Sequence, residues 1–229
     1  MSPLVEAVGV HKSFVEGGRP RPVLTGVDLV VEGGEMTALA GPSGSGKSVL
    51  LDVLADWSRA DAGQVLWSGS RTAPGWAGLA LVPQGMGLLP DLTVWHNVVL
   101  PVRLERGAAG LRADVPRIRH LLERLRLDAL VERSPGELSF GEQQRVAVAR
   151  AVVLDPPLVL ADEPTSHQDD RNAEAVLDVL REVCARGGAV LLASHDDAVL
   201  DEVDRVVRLV DGRAEEGDYP QKNAVAQMP

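Results

Sequence analysis

The segment GPSGSGKS, residues 41–48, constrains this chain more than any other part of the sequence. It lies between the apolar runs TALA and VLLDVLA, which places a glycine-rich loop between a strand and a helix. Backbone N–H groups of such a loop can converge on phosphate oxygens, and the helix N-terminus adds partial positive charge. The segment therefore predicts a phosphate-binding loop in which Lys47 reaches the β- and γ-phosphates and Ser48 binds Mg²⁺.

A flexible Gly/Ser turn is the alternative explanation for so short a match. The chain has only three lysines against twenty arginines, and one of the three stands where the loop requires a compact ammonium group. This placement favours the phosphate loop.

A second chemical signal is the apolar run LVLADEP at 158–164, which ends in the adjacent carboxylates Asp162 and Glu163. Successive side chains at a strand terminus point in different directions, so Asp162 can face Mg²⁺ while Glu163 addresses an attacking water. Taken alone, such a pair is more often the start of a solvated loop or a helix cap. Combined with the phosphate loop, it predicts a metal ligand and a general base.

Short apolar runs along the chain predict an α/β fold with a mainly parallel sheet buried on both faces. They lie at 37–40, 79–82, 158–161, 189–193 and 206–210, and VDLVVEGG at 27–34 predicts an antiparallel strand near the start. Apolar residues at helical spacing predict helices at 117–127 and 173–186. We expect one domain with a core of about 1–84 and 151–211, an inserted helical subdomain of about 85–150, and a polar, poorly ordered tail at 212–229.

Composition narrows the possible partners and compartment. A net charge of −10 argues against nucleic acid, because binding a phosphate backbone requires a basic face. The single cysteine, Cys184, and an N-terminus without a signal-peptide pattern predict a cytoplasmic protein. The longest uncharged stretch, 72–90, is interrupted by Gly and Pro, so no membrane span is expected.

The phosphate loop and the acidic strand end are two of six motifs that follow one another along the chain. Together, the six resemble the motifs of the nucleotide-binding subunit of ATP-binding cassette (ABC) transporters, and the other four are given next. These are LVPQG with Gln84, LSFGEQQR at 138–145, SHQD with Asp169, and LLASHD with His195. The resemblance covers nearly the whole chain. It implies a P-loop NTPase fold with an N-terminal antiparallel β portion, an ATPase activity, and ATP with Mg²⁺ as the bound ligands.

The resemblance also implies roles for individual residues. Glu163, His195 and Gln84 would form the catalytic group, and Ser48, Gln84 and Asp162 would hold the metal. Phe14 stands where the family has an aromatic that stacks on adenine, although a core residue is the alternative there. The nucleotide-binding set is Phe14, Gly41, Pro42, Ser43, Gly44, Ser45, Gly46, Lys47, Ser48 and Val49.

The signature motif of the family acts in trans, on the γ-phosphate held by the other subunit of a head-to-tail dimer. Here it would consist of Leu138, Ser139, Phe140, Gly141 and Glu142. Phe140 replaces the first of two usual glycines, and we expect its ring to point away from the nucleotide if its backbone avoids positive φ. An ordinary helix N-terminus with Ser139 and Glu142 as a capping box is the alternative, and it is compatible with function.

Two other residues depart from the family pattern. Val49 stands where threonine is common, so a hydroxyl that would bond the α-phosphate is lost. Asp169 of the D-loop is retained, but Gln168 stands where leucine is usual.

The segment LTVWHNVVLPVRL at 92–104 resembles the branch that includes lipoprotein-release, macrolide-efflux and cell-division ATPases. That branch implies a separate integral membrane permease subunit, with the chain held at the inner face of the cell membrane. Trp95, Val98, Val99 and Leu100 are candidates for the docking groove, with core packing as the alternative. We expect a homodimer or a paired ABC subunit when ATP is bound. Alternative functions are a nucleotide-gated regulator of a membrane complex that transports nothing, and a soluble non-transport ABC ATPase.

Overall fold

Two β-sheets organise the part of the chain that this computed structural model describes, residues 3–75 and 77–216. The strands are β1 Pro3–Glu16, β2 Arg19–Glu32, β3 Met36–Ala40, β4 Ala62–Trp67, β5 Leu79–Val82, β6 Leu158–Asp162, β7 Ala189–Ala193, β8 Arg205–Val210 and β9 Arg213–Glu216. The α-helices are α1 Lys47–Leu54, α2 Val94–Arg124, α3 Phe140–Val152, α4 Asp170–Ala185 and α5 Asp197–Leu200, with single-turn 3₁₀ helices at Asp128–Leu130 and Pro135–Glu137.

The larger sheet has six strands in the order β5-β6-β7-β3-β8-β9. The first five are parallel, and β9 pairs antiparallel with β8. Every residue of β3, β6 and β7 is buried, which explains why these strands are near-continuous apolar runs. The predicted mainly parallel α/β fold is confirmed. The loops after β3, β6 and β7 emerge at the same sheet edge, where ligands bind in such folds.

The smaller sheet is antiparallel, in the order β2-β1-β4, and supplies the predicted N-terminal antiparallel portion. Gly17 and Gly18 both have positive φ and join β1 to β2 in a tight hairpin turn. The inner face of this sheet and one face of α1 share a core cluster with the larger sheet, which includes Val10, Leu24 and Leu50.

The tail prediction is wrong for its first residues, because Arg213–Glu216 form β9. Asp211 and Gly212 both have positive φ, the conformation of a two-residue turn that matches strand twist, and they fold the chain back onto β8. The rest of the predicted tail, 217–229, lies outside the described residues.

Helices fill the segment between β5 and β6, in keeping with the helical character predicted for 85–150. The long helix α2 is interrupted at Gly107, whose φ of 66° and ψ of −170° are not helical. Val98 and Val99 are fully buried in the core, so they are packing residues and not docking residues. Trp95 packs against the same core, and Leu100 is half-buried. Within the described residues, no helix is both long and apolar enough to cross a membrane.

Candidate active site

The phosphate loop lies where the sequence predicts, between β3 and the first residue of α1, Lys47. Gly46 precedes the helix with a φ of 102°, and a Cβ there would lie 2.9 Å from Cγ1 of Val23. Glycine is therefore required both for the backbone angle and for the close approach to β2. The Lys47 ammonium is buried and donates to the carbonyls of Gly41 and Pro42, at 2.7 and 3.3 Å. The loop is thus folded around its own lysine.

The two predicted carboxylates occupy different environments at the end of β6. Asp162 is the last residue of the strand and is buried. Glu163 has a φ of 52°, a left-handed conformation that is costly for a residue with a side chain. Oε1 of Glu163 lies 2.6 Å from Nδ1 of His195, which follows β7. The left-handed backbone at Glu163 therefore accompanies a side chain that is directed towards His195.

One cleft of about 460 Å³ collects most of the predicted nucleotide-binding residues. Its predicted members are Phe14, Ser43, Gly44, Gly46, Lys47, Ser48, Val49, Gln84, Asp162 and Glu163. Phe14 is 47% exposed, so it is not a core residue, and the Lys12 ammonium lies 5.6 Å from its ring centroid. Glu16, Arg21 and Val23 of the β1–β2 hairpin also line the cleft and were not predicted.

The negative charge of Asp162 affects the carboxyl group of Asp52 on helix α1. Burial, followed by the negative charge of Asp162, raises the pKa of the Asp52 carboxyl above its ordinary value. In the described residues, no group of three or more His, Cys, Asp or Glu side chains could hold a metal by itself.

The signature residues Leu138, Ser139, Phe140, Gly141 and Glu142 lie outside this cleft, at the N-terminus of α3. Ser139 caps the helix: its Oγ accepts from the Glu142 N–H at 3.3 Å, and Glu142 Oε2 accepts from the Ser139 N–H at 2.7 Å. That backbone hydrogen bond holds the pKa of Glu142 below its ordinary value. The capping box considered from the sequence is therefore present.

Phe140 is the first residue of α3, and its φ is not positive. The backbone at this position is therefore not strained by the presence of a side chain. Its side chain is 45% exposed and meets the ring of His167 edge-on, with centroids 4.7 Å apart and planes at 74°. A Cβ on Gly141 would lie only 2.9 Å from the carbonyl oxygen of His167. Glycine is needed at 141 for this close approach, whereas position 140 has room for a side chain.

Asp169 lies beside this contact and caps helix α4. Its carboxylate accepts from the backbone N–H and from the side-chain amide of Asn172, at 2.9 and 3.0 Å. It does not line the cleft of its own chain.

Sequence reasoning missed Gln144, which is 3% exposed inside α3. Its amide donates to the carbonyl of Glu163 and to Oγ of Ser166, and its oxygen accepts from Gln168 at 3.3 Å. The signal available in the sequence was a glutamine among the mainly apolar residues that α3 buries, although Arg145 beside it is buried as well. Gln144 joins the signature helix to the backbone of the predicted general base.

A glycine-rich loop between β3 and α1, the lysine that begins α1, and two carboxylates at the end of β6 define a P-loop nucleoside triphosphatase. A family model described as ABC transporter matches residues 24–166. The chain therefore belongs to the ABC transporter family, as an ATPase that binds ATP or ADP.

Relatives in sequence include proteins of lipoprotein release and of macrolide export. The lipoprotein-releasing system ATP-binding protein LolD of Anaeromyxobacter dehalogenans is 43% identical over 223 residues, covering 93% of this chain and 92% of that protein. The macrolide export ATP-binding/permease protein MacB 2 of Aeromonas hydrophila is 35% identical, covering 99% of this chain and 36% of that protein.

Solved structures agree with the fold. The dimeric structure of MJ0796, a bacterial ABC transporter cassette, has a TM-score of 0.86 at 30% identity, covering 93% of this chain and 97% of that one. A dimer of MJ0796 in a post-hydrolysis state bound to ADP and Pi has a TM-score of 0.83 at 29% identity, with the same coverage.

Proposed function

We propose that the chain hydrolyses ATP as one half of a head-to-tail pair and thereby powers a transporter through a separate membrane subunit. The observation that carries this proposal is that the signature residues lie outside the cleft that holds Lys47 and Glu163. A single chain thus presents two half-sites, and a second copy or a paired ABC subunit would complete each one. The dimeric MJ0796 cassettes support this arrangement.

Nucleotide would enter the cleft with its base near Phe14 and its phosphates over the loop. Lys47 would exchange the carbonyls of Gly41 and Pro42 for β- and γ-phosphate oxygens, a gain for a buried ammonium. Gly44 has an open left-handed position, with nothing within 4 Å of a Cβ, so its backbone can approach a phosphate closely. These features support ATP as the ligand.

The donor set fits Mg²⁺, because one buried carboxylate and one hydroxyl can share the ion with phosphates and water. Asp162 and Ser48 would hold it, together with Gln84, which lines the same cleft. The ion supplies neutralisation of charge that develops on the transferred phosphoryl group.

Glu163 would act as the general base towards a water molecule in line with the γ-phosphate. His195, bonded to it at 2.6 Å, would orient the carboxylate and reach the γ-phosphate once the site closes. Gln84 is exposed in the same cleft and would contact the water and the metal.

From the other chain, Ser139 and the N–H of Gly141 would meet the γ-phosphate at the positive end of α3. The N-terminus of this helix is exposed at Ser139 and Phe140, which leaves it accessible to a second chain. Asp169 and its loop would lie at the same interface.

A groove between the core and the helical segment supports a membrane partner. The lobe groove, as we name it, has a volume of about 580 Å³ and is lined by Trp57, Leu89, Leu100 and Arg150 among others. Trp57 is 66% exposed and Leu89 43%, an apolar surface that suits a partner segment.

By relationship to LolD and MacB, we infer an integral membrane permease and a position at the inner face of the membrane. Lipoprotein release is the cargo system best supported by the relatives' names.

A complementation experiment tests the shared site. Lys47→Ala removes the phosphate contact and Ser139→Ala removes the trans contact, so each protein alone should lack ATPase activity. Mixed together, they should regain activity, because a mixed pair contains one intact site. The control is Glu163→Gln, which should lack turnover yet form ATP-dependent dimers by light scattering. Failure of the mixture to recover would rule out the shared site.

A further inference from the structure

Phe140, His167 and Gln168 form a contact between the start of α3 and the loop that follows Glu163. The Phe140 ring meets the His167 ring edge-on at 4.7 Å, and the backbone at Gly141 lies against the His167 carbonyl. His167 has a φ of 58°, an unfavourable conformation that persists only when its surroundings hold it. The aromatic contact is one such restraint.

The contact continues to the predicted general base. Gln168 lies beneath Gly141 and donates its amide to Gln144 at 3.3 Å and to the Pro164 carbonyl at 3.1 Å. Gln144 in turn donates to the carbonyl of Glu163. A continuous series of contacts therefore runs from the Phe140 ring to the backbone of Glu163.

We propose that Phe140 and His167 are a positioning pair that couples the trans phosphate contact of a chain to the placement of that chain's own Glu163. The proposal rests on the proposed function, since the signature of one chain serves the nucleotide of the other. Movement of the α3 N-terminus onto a phosphate would shift His167, and the hydrogen bonds of Gln168 and Gln144 would carry that shift to Glu163. Phe140 thereby has a task at the position where the family has glycine.

Aromatic geometry favours a specific contact over incidental exposure. An edge-on arrangement with centroids between about 4.5 and 7 Å is the preferred one for ring pairs. Gly141, one residue on, keeps the helix close enough to the loop for the two rings to meet. Neither Phe140 nor His167 lines the cleft that contains Lys47 and Glu163, so both residues would act through others.

Two substitutions test the aromatic contact without disrupting the rest of the fold. Phe140→Leu keeps apolar bulk without the aromatic edge, and His167→Asn removes the ring while tolerating the left-handed backbone. Phe140→Tyr keeps the ring and serves as the conservative rescue. Leu104→Ala, at a 65% exposed position on α2, is the control for loss of an exposed apolar side chain.

The measurement is the ATP concentration for half-maximal dimer formation in a Glu163→Gln background. Phe140→Leu and His167→Asn should each raise it about two- to tenfold, the range expected for an aromatic pair. The double variant should be no worse than either single one, and the tyrosine variant should match the parent. With Glu163 present, kcat should fall more than KM rises.

The possible outcomes distinguish failure of the positioning-pair proposal from failure of the proposed function on which it rests. Additive effects, or no effect, with ATP-dependent dimers intact would overturn the positioning pair alone. A thermal-unfolding cycle on the single chain gives a second reading, because both rings of the contact belong to the same chain. Absence of coupling in that cycle would also overturn the pair. If the Glu163→Gln variant does not form dimers in the presence of ATP, the proposed function fails, and the proposed coupling fails with it.

Discussion

Gln144→Leu tests how far the backbone of Glu163 depends on one buried amide. Leucine matches the size of glutamine but cannot donate to the Glu163 carbonyl or to Ser166 Oγ. The Glu163 carbonyl also accepts from the Ser166 N–H at 3.2 Å and so keeps one partner, and the loss is that of a hydrogen bond, about 0.5–1.5 kcal/mol. In a chain of this length each kcal/mol corresponds to about 2–4 °C in Tm, so a fall of about 1–6 °C is expected.

The same change should reduce turnover by more than stability alone explains. Glu163 holds a left-handed φ of 52°, and the hydrogen bond from Gln144 is one of the restraints on that turn. A released turn would misplace the carboxylate, and misplacement by about 1 Å can cost a hundredfold in rate.

Differential scanning calorimetry and steady-state ATPase assays below the Tm of the variant measure the two effects. Gln64→Leu is the matched control, because among the described residues the Gln64 side chain bonds only the exposed Arg71, and its loss should stay within about 0.5 kcal/mol. A Gln144→Leu protein with unchanged Tm and kcat would refute the role given to this amide.

Three further outcomes follow from the cleft, the groove and the core. Val49→Thr should lower the Kd for ATP about ten- to a hundredfold, because a hydrogen bond to a charged group contributes about 1.5–3 kcal/mol; calorimetry giving an unchanged Kd would contradict this. Trp57→Ala should leave basal ATPase activity intact and remove stimulation by a membrane partner, and full stimulation of the variant would exclude the lobe groove. Burial raises the pKa of the Cys184 thiol to about 11. Alkylation of the native chain at pH 8 should therefore be slow and should accelerate towards pH 11, whereas rapid labelling at pH 8 would argue against the described core.

The parallel strands could be predicted because both of their faces are buried. Such strands must be apolar at nearly every position, as β6 and β7 are, and a continuous apolar run is easily recognised. The phosphate loop was equally clear, because its glycines and lysine have fixed spacing.

The two hairpins were missed for a local reason. Strands β1 and β2 carry exposed polar residues and prolines towards their shared turn, which hides their 14-residue length. Asp211-Gly212 is a strong hairpin signal, but β9 that follows it is polar and short. Pairing with a neighbouring strand, and not local preference, determines such segments.

The contacts of Phe140 and Gln144 could not be predicted from the sequence. Both depend on the loop after Glu163 returning to the start of α3, and residues 140 and 167 are far apart in the chain. The sequence motif located each residue but gave no distance between them.

The capping box of Ser139 and Glu142 has a consequence for association. Because their reciprocal hydrogen bonds already fix the first turn of α3, the proposed phosphate-binding surface is ordered before any partner arrives. Ordering a backbone residue costs about 1–2 kcal/mol, and a turn fixed during folding does not incur that loss again on contact. A chain in the proposed pair would therefore engage and release its counterpart repeatedly without refolding this segment.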